Sequence, residues 1–570
     1  MKRWVLFSCV GLLGVAAVVI IQRNKVDATA SPEAMLHLIG DTEHELTRMP
    51  ARFARMPDEE EIRIGNELAK LYSDEQTQNN KVVSEDGTVQ EYLTRVGLRL
   101  AAHAHRKLPY KFHYIASPWL INAFAVPGGH VYVGGGLLSL MDSEDELAAV
   151  MGHEIEHVDH YHCAERVQQQ EALRKIPQGE LVGLPIEIFE AGYSKEQELE
   201  ADREGTRLAV EAGFSANGAV RMFETFDRLY KETQAKAKTP QEELSQVALG
   251  TLEGYFRSHP PTPERIAQVQ KMIASEGWPA RPEHDLEVGY IFLTAKAESA
   301  LNEVEYAKAE QLANRSLRIR PDQIAAIRIL ARAQFAQAKF SESAAAYRKL
   351  IEANSFDLNS VSSYAQALAA SDRTTAPAEF HKWAASVKGQ KSRALAVEEA
   401  GLQLLVGAPQ ASHKLEEELN RTGSVIEVTQ TGEPLIPVWL GDLGWWHYLA
   451  GDYQKAVDLL SAAVQERPQN PSLRSQLAWA QAEVRRYADA LQMTQQVPGV
   501  SPMARAVVLW LSQEREEGLR GFGAALRSQP EWGNPAWAKA LYSATVVQSV
   551  REMQAEQGLR ERKTRASSRR

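Results

Sequence analysis

The residues with the clearest chemical potential are His153-Glu154-Ile155-Glu156-His157, an H-E-x-x-H string. On a helix, residues four apart stand one above another, about 6 Å apart along the axis. Two imidazoles so placed can converge on one Zn²⁺ at ~2.0–2.1 Å, and Glu154 then projects beside the ion, where its carboxylate can take a proton from water. His160 falls near the same face but about 10.5 Å further along the axis than His153, too far to share the ion. His162 projects to the opposite side of a continuous helix. Both read as helix-surface histidines, and Cys163, which a continuing helix carries too far along to be a ligand, reads as an inert thiol.

A catalytic zinc takes a third protein ligand and keeps a fourth position for water or substrate. The acid-rich stretch Ser194-Lys195-Glu196-Gln197-Glu198-Leu199-Glu200-Ala201-Asp202 is the source of that ligand. Spacing alone leaves Glu196, Glu198, Glu200 and Glu204 open, because any acid-rich helix presents several carboxylates to solvent. Glu198 and Asp202 stand out as a pair. Four apart, they share a face, so one can bind the ion while the other accepts the outer N–H of a ligand histidine.

These side chains need helices to hold them. Ser143 and Glu146 form an S-x-x-E capping box just before Leu147-Ala148-Ala149-Val150-Met151, which starts the helix of the two histidines. Ser194 and Gln197 form a second box, which makes the acidic stretch helical as well. Upstream, Ile64, Leu68 and Leu71, then Tyr92, Val96 and Leu100, recur at helical steps. Between Tyr110 and Val133 short apolar segments are broken by Pro127-Gly128-Gly129, the pattern of a small β-meander.

The C-terminal half repeats. Ala297, Tyr306, Ala309 and Leu317 map onto Ala331, Phe340, Ser343 and Ile351 at a step of 34 residues, and Leu443, Gly444, Tyr453 and Ala456 map onto Leu477, Ala478, Tyr487 and Ala490 at the same step. That period, with small residues at helix crossings and prolines at Pro321 and Pro468, resembles the tetratricopeptide repeat (TPR), in which helical hairpins stack because one alone cannot bury both apolar faces. Between residues 357 and 435 the pattern is degenerate, and Ala506, Phe522, Ala525 and Pro530 mark one last imperfect repeat.

The 570 residues exceed a single domain, and 44% hydrophobic with 24% charged residues describes a globular chain. A formal charge of −10 gives no global basic footprint, so nucleic acid is not an expected partner. Only Cys9 and Cys163 occur, and Cys9 lies in an apolar N-terminal run, which excludes a disulfide framework. That run, Trp4 to Ile21 after Lys2 and Arg3, implies export. Its 18 residues are long for a signal peptide and sit at the lower edge of a membrane span, whereas Ala28-Thr29-Ala30 resembles a cleavage site, so both a cleaved signal and an anchor remain open.

Four ordered motifs carry a family resemblance: Asn122-Ala123-Phe124-Ala125-Val126-Pro127-Gly128-Gly129, His153-Glu154-x-x-His157, Glu198-x-x-Ala201-Asp202, and Ser258-His259-Pro260-Pro261-Thr262-Pro263-Glu264-Arg265-Ile266. Over residues 58 to 275 the chain resembles the HtpX and CAAX-prenyl-protease superfamily of zinc metallopeptidases. The appended repeats look like its bacterial envelope branch of β-barrel assembly-enhancing proteases.

The resemblance implies a mainly α fold: a gluzincin-type α-helical zincin domain with a small β-meander, followed by an α-α TPR solenoid. The expected divisions are 1–30 for the export segment, 31–285 for the peptidase, 286–555 for the repeats and 556–570 for a basic disordered tail. One Zn²⁺ per chain is implied, with His153, His157 and Glu198 as ligands, Glu154 as general base and Asp202 behind the ligands. His259 is implied as a fourth ligand able to hold the enzyme closed, and Arg265 is a weak candidate for stabilising the transition state. Asn122, Ala123, Phe124 and Ala125 would form an exposed edge strand on which a substrate backbone pairs. The implied activity is an envelope metalloendopeptidase acting on misfolded or stalled exported and outer-membrane proteins in the periplasm, with the repeats recruiting substrate or outer-membrane assembly machinery and membrane contact through residues 4–21 if uncleaved. The alternative is a TPR assembly chaperone or scaffold whose peptidase site is mostly autoinhibited.

Overall fold

The helix that carries His153 and His157 begins where Ser143 turns the chain: its hydroxyl accepts from the Glu146 N–H at 3.1 Å, and the Glu146 carboxylate accepts from the Ser143 N–H at 3.1 Å. The second expected box is formed too, with Ser194 and Gln197 bonded reciprocally at 3.4 and 3.1 Å. The computed structural model describes residues 55–79, 86–174, 193–236, 263–353, 358–386, 393–421, 436–495 and 497–567. The export segment and His259 lie outside them. Among the described residues no helix is long and apolar enough to cross a membrane.

The chain divides into two units, residues 1–289 and 290–570, four residues beyond the expected boundary. In the first, α1 (Asp58–Asn79) and α2 (Asp86–Ala101) precede β1 (Lys111–Ile115), β2 (Ala123–Val126) and β3 (His130–Gly134). A short α3 (Gly135–Leu138) follows, then α4 (Glu144–Asp159), α5 (His162–Arg174), α6 (Lys195–Glu211), α7 (Asn217–Lys236) and α8 (Pro263–Ser275). The helix α4 runs through the middle and is buried over most of its length.

The sheet has three strands, but it is not a meander. Its order is β1-β3-β2: β2 and β3 form an antiparallel hairpin around Pro127-Gly128-Gly129, and β1 pairs with β3 in parallel. The segment 116–122 is long enough to carry the chain past β3's position, and strand periodicity does not encode spatial order. β2 does lie at an edge, yet Ala123, Phe124, Ala125 and Val126 are at most 1% exposed and Asn122 is buried. α4 packs on the strand, and the Ala125 carbonyl receives the Cys163 thiol at 3.5 Å, so the edge is closed rather than open to a peptide.

The second unit is helical throughout its described residues. Its elements are α9 (Gly289–Asn302), α10 (Tyr306–Ile319), α11 (Ile324–Ala336), α12 (Phe340–Ala353), α13 (Leu358–Ser371), α14 (Ala376–Ser386), α15 (Arg393–Leu405), α16 (Gln410–Arg421), α17 (Ile436–Ala450), α18 (Tyr453–Glu466), α19 (Pro471–Glu483), α20 (Tyr487–Met493), α21 (Pro502–Leu511), α22 (Arg515–Ser528), α23 (Pro535–Leu541) and α24 (Ala544–Ser567). The 34-residue step survives in the starts of α10 and α12 and of α18 and α20. Ala297, Ala309, Ala331 and Ser343 are fully buried where the hairpins cross. Each hairpin turn places one residue in the left-handed region: Val304 and Ala338 in one pair, Gly451 and Arg485 in the other. There the next N–H reaches back five residues, as from Glu305 to Ala300 and from Asp452 to His447, the bond that closes a helix end.

Two features depart from an open solenoid with a loose end. Tyr306 donates to Glu531 at 2.8 Å, Asn534 to the Gln337 carbonyl at 3.4 Å and Arg373 to the Ala540 carbonyl at 3.0 Å, so the last turns bond back onto earlier repeats. The expected disordered tail is instead helical as far as Ser567, because Arg560 is tied to Glu516 at 2.7 and 2.9 Å and to Glu556 at 2.7 Å.

Candidate active site

α4 and α6 cross at two glycines. A methyl group on Gly152 would lie 2.8 Å from the Gly205 carbonyl oxygen, and one on Gly205 would lie 2.7 Å from the His153 nitrogen. Only glycine permits that approach. Three residues before Gly205 stands Asp202, and one turn earlier Glu198, so the crossing sets both carboxylates against the histidines.

Nε2 of His153 and Nε2 of His157 lie 3.0 Å apart, and the Glu198 carboxylate is 3.6 Å from the first and 3.5 Å from the second. All three residues are buried, and their donor atoms fit within 4.8 Å of one another. Bonds of ~2.0–2.1 Å at tetrahedral angles place ligand atoms about 3.3–3.5 Å apart, so the spacing fits a single ion. The donor set of two imidazoles and a carboxylate is one that zinc takes.

Asp202 accepts from Nδ1 of His153 at 2.9 Å, which leaves the Nε2 lone pair for the ion. Arg265, on α8, brackets both carboxylates: Nε and Nη2 donate to Asp202 at 2.5 and 2.7 Å, and Nη1 donates to Glu198 at 2.9 Å. Burial alone would raise the Asp202 pKa, but the charge and hydrogen bonds of Arg265, with those of His153, hold it below the ordinary aspartate value. Burial opposes charge on His153 too, yet Asp202 and Glu198 outweigh it and raise its pKa. His157 moves the other way: burial, with His153 beside it, drives its pKa well below the usual value and keeps the ring neutral, as a ligand must be. Arg265 therefore holds the Glu198 and Asp202 carboxylates, with its guanidinium engaged there rather than offered to a reacting oxygen.

Glu154 is buried on the same helix. Burial raises the pKa of the Tyr193 phenol and of the Cys163 thiol, and the charge of Glu154 adds to both. Cys163 is buried and protonated, as expected of an inert thiol.

Two residues escaped sequence reasoning. α4 ends at Asp159, and Tyr161 takes a left-handed conformation (φ 64°) before α5 restarts the chain in a new direction. Arg106 lies 3.7 Å over the Tyr161 ring and donates to the Val158 carbonyl, while Asp159 accepts the backbone N–H groups of His105 and Arg106 at 2.9 and 2.6 Å, which pins the break. Consequently His162 is not on the surface: it is buried, with Nδ1 2.9 Å from Nδ1 of His157 and Nε2 3.3 Å from Glu200. His160, partly exposed, sits between Glu156 at 3.2 Å and Glu200 at 3.6 Å. The other residue is Tyr193, whose ring stacks on His157 at 3.8 Å and whose hydroxyl meets Cys163 at 3.3 Å. It immediately precedes the Ser194 cap, the one local signal that marks its place.

Residues 88–183 and 182–273 match the model of peptidase family M48, and residues 447–507 match that of the tetratricopeptide repeat. A putative β-barrel assembly-enhancing protease of Vibrio cholerae is 36% identical over 183 residues, which is 28% of this chain and 37% of that protein. The β-barrel assembly-enhancing protease of Escherichia coli is 30% identical over 175 residues, 27% of this chain and 36% of that one. The mitochondrial metalloendopeptidase OMA1 of Schizosaccharomyces pombe is 28% identical over 193 residues, covering 32% and 52%. The matched region thus spans little more than a third of the two bacterial relatives' length. Residues 88–273 are thus similar to peptidase family M48, and residues 447–507 to the tetratricopeptide repeat.

Proposed function

We propose that this chain is a zinc-dependent metalloendopeptidase of the bacterial cell envelope that hydrolyses peptide bonds in misfolded or stalled exported proteins. The convergence of His153, His157 and Glu198 in one buried site, with Glu154 next to the first ligand in sequence, carries this reading. The relatives named β-barrel assembly-enhancing proteases and the apolar run at residues 4–21 support the envelope setting.

His153, His157 and Glu198 would hold the ion, which when bound supplies Lewis-acid chemistry for peptide hydrolysis. Glu154 takes a proton from the attacking water at a carboxylate oxygen as the water oxygen bonds to the scissile carbonyl carbon. As the C–N bond breaks, Glu154 returns that proton to the leaving amine nitrogen. Asp202 keeps the His153 proton on Nδ1, and Arg265 fixes Asp202 and Glu198 together, so neither carboxylate swings away. The repeats of the second unit recruit substrate or partner and raise its effective concentration at the site.

The decisive experiment incubates purified protein with an unfolded substrate such as reduced casein. Cleavage is expected to vanish with a chelator, to return with Zn²⁺ and to be abolished in Glu154→Gln with bound metal retained. Protein that binds no metal, or cleavage unchanged in Glu154→Gln, overturns the reading. Full complementation of a gene deletion by Glu154→Gln would instead favour the chaperone role for the repeats.

A further inference from the structure

The second unit contains a cavity of about 760 Å³ that the peptidase chemistry does not use. That is within the roughly 300–1,000 Å³ of ordinary ligand pockets. Three separate stretches of chain line it: the α13–α14 turn, the α17–α18 turn, and α23 with the start of α24. Each of the first and last contributes cations, Arg373 from one and Lys539 and Arg551 from the other, and the walls between them carry Tyr448, Tyr453 and Tyr542.

The charge in this cavity is one-sided. No acidic side chain lines it, and among the described residues no carboxylate lies within ion-pair distance of Arg373, Lys539 or Arg551. Glu483, whose charge is felt by Tyr448 and Tyr453, is held by the Ser543 hydroxyl at 2.5 Å. Arg373 is fixed in place, with Nη1 donating to the Leu449 carbonyl at 3.2 Å and Nη2 to the Ala540 carbonyl at 3.0 Å. Its pKa is drawn down by burial with no carboxylate to offset it. A guanidinium oriented by backbone carbonyls and lacking a counter-ion is poised for a planar anion, and carboxylates match its remaining N–H groups. Phenol rings on the walls offer apolar faces and hydroxyl groups suited to an adjoining peptide.

We propose that this cavity binds an acidic segment of a partner polypeptide, with a carboxylate seated on Arg373 and further carboxylates answered by Lys539 and Arg551. A peptide fits better than an extended polyanion because the three cations gather about one hollow beside three phenol rings rather than along a track. The proposal names the chemistry of what the repeats recruit and so rests on their recruiting role, but it is independent of cleavage.

The test uses full-length protein carrying Glu154→Gln, so that the probe is not consumed, and fluorescence anisotropy of a short glutamate-rich peptide beside the same peptide with glutamine in every glutamate position. The glutamate peptide is expected to bind and the glutamine peptide to bind at least roughly tenfold more weakly, the effect of losing one or two charge-assisted hydrogen bonds. Arg373→Gln is expected to weaken the glutamate peptide by a similar factor, and added salt to weaken it further. Because Arg373 also ties two turns together, Lys539→Gln with Arg551→Gln, both at exposed positions, provides a second variant expected to lose affinity with an unchanged melting temperature. Equal binding of the two peptides, or undiminished binding by the folded Lys539→Gln, Arg551→Gln protein, overturns the proposal. So does displacement of the peptide by anionic lipid vesicles that bind more tightly through the same residues. Failure here with intact chelator-sensitive cleavage in the parent protein leaves the peptidase reading standing.

Discussion

His157 and His162 face each other through their Nδ1 atoms at 2.9 Å, in a buried contact with no carboxylate or carbonyl between them. One nitrogen must donate and the other accept. If Nε2 of His157 is to offer its lone pair to a metal, the proton sits on its Nδ1, and His162 must accept there. The His162 proton then lies on Nε2, facing Glu200 at 3.3 Å, and Glu200, with a pKa lowered to about 2 by that hydrogen bond, is ionised to receive it. Replacing His162 by Asn keeps an acceptor near Nδ1, whereas Leu does not. We expect His162→Leu to lower zinc affinity by about 10–100-fold and His162→Asn to recover most of it, measured by chelator competition.

Arg265 joins two buried carboxylates, Glu198, the proposed metal ligand, and Asp202, which accepts from His153. Removing it leaves two uncompensated charges in a dry site. Arg265→Gln is expected to destabilise the first unit by about 3–5 kcal/mol and to reduce metal content, read by thermal melting and metal analysis of the purified protein. A melting temperature within a degree of the parent would contradict the bracing role.

The glycine crossing makes a steric prediction. A methyl on Gly205 meets the His153 backbone nitrogen at 2.7 Å, so the helices must part. Gly205→Ala is expected to cost about 1–3 kcal/mol and to weaken zinc binding, although no ligand is altered. Unchanged zinc affinity in this variant would mean that the crossing does not set the ligand spacing.

Acid should weaken the first unit through a pair of histidines. His113 and His130 stack with Nε2 and Nδ1 at 3.0 Å, near Lys111, Asn66 and Tyr132, and burial, with Lys111 adding, lowers both pKa values to about 4. In the unfolded chain these rings titrate near 6.5. Between pH 6.5 and 4 the unfolded state takes up protons that the folded state refuses, so stability is full above that window and falls through it. Urea midpoints at pH 7 and pH 4.5 should differ, and His113→Gln should shrink the difference; equal slopes in both proteins would exclude this pair as the cause.

The repeat turns carry a removable cost. Val304 adopts φ 58°, a conformation strongly unfavourable for a β-branched residue, where the second clear pair of repeats uses Gly451 at the corresponding turn. Val304→Gly is expected to stabilise the second unit by about 1 kcal/mol after the entropy of an added glycine is subtracted, read as a higher melting temperature. A lower melting temperature would refute the argument.

Much of this protein follows from rules that act within one or two turns of chain. The i, i+4 spacing of His153 and His157 is a helical relationship, Ser143 and Ser194 cap helices through residues three positions on, and the 34-residue step is a local hairpin repeated. Such features are written in the sequence because the atoms that satisfy them are sequence neighbours. Spacing alone did not choose among Glu196, Glu198, Glu200 and Glu204, since one helix presents them all; the shared face of Glu198 and Asp202 and the motif resemblance singled out that pair, and the crossing at Gly152 and Gly205 aims both at the histidines. Projecting α4 forward as an ideal helix failed at Tyr161, where a single left-handed residue turned His162 from the surface into the site. Strand order, the grip of Arg265 on residues more than sixty positions away, and the return of the last turns onto Tyr306 and Arg373 are all non-local. Periodicity states which face of an element is buried; only packing decides which other element it is buried against, because that depends on shape and charge contributed by both.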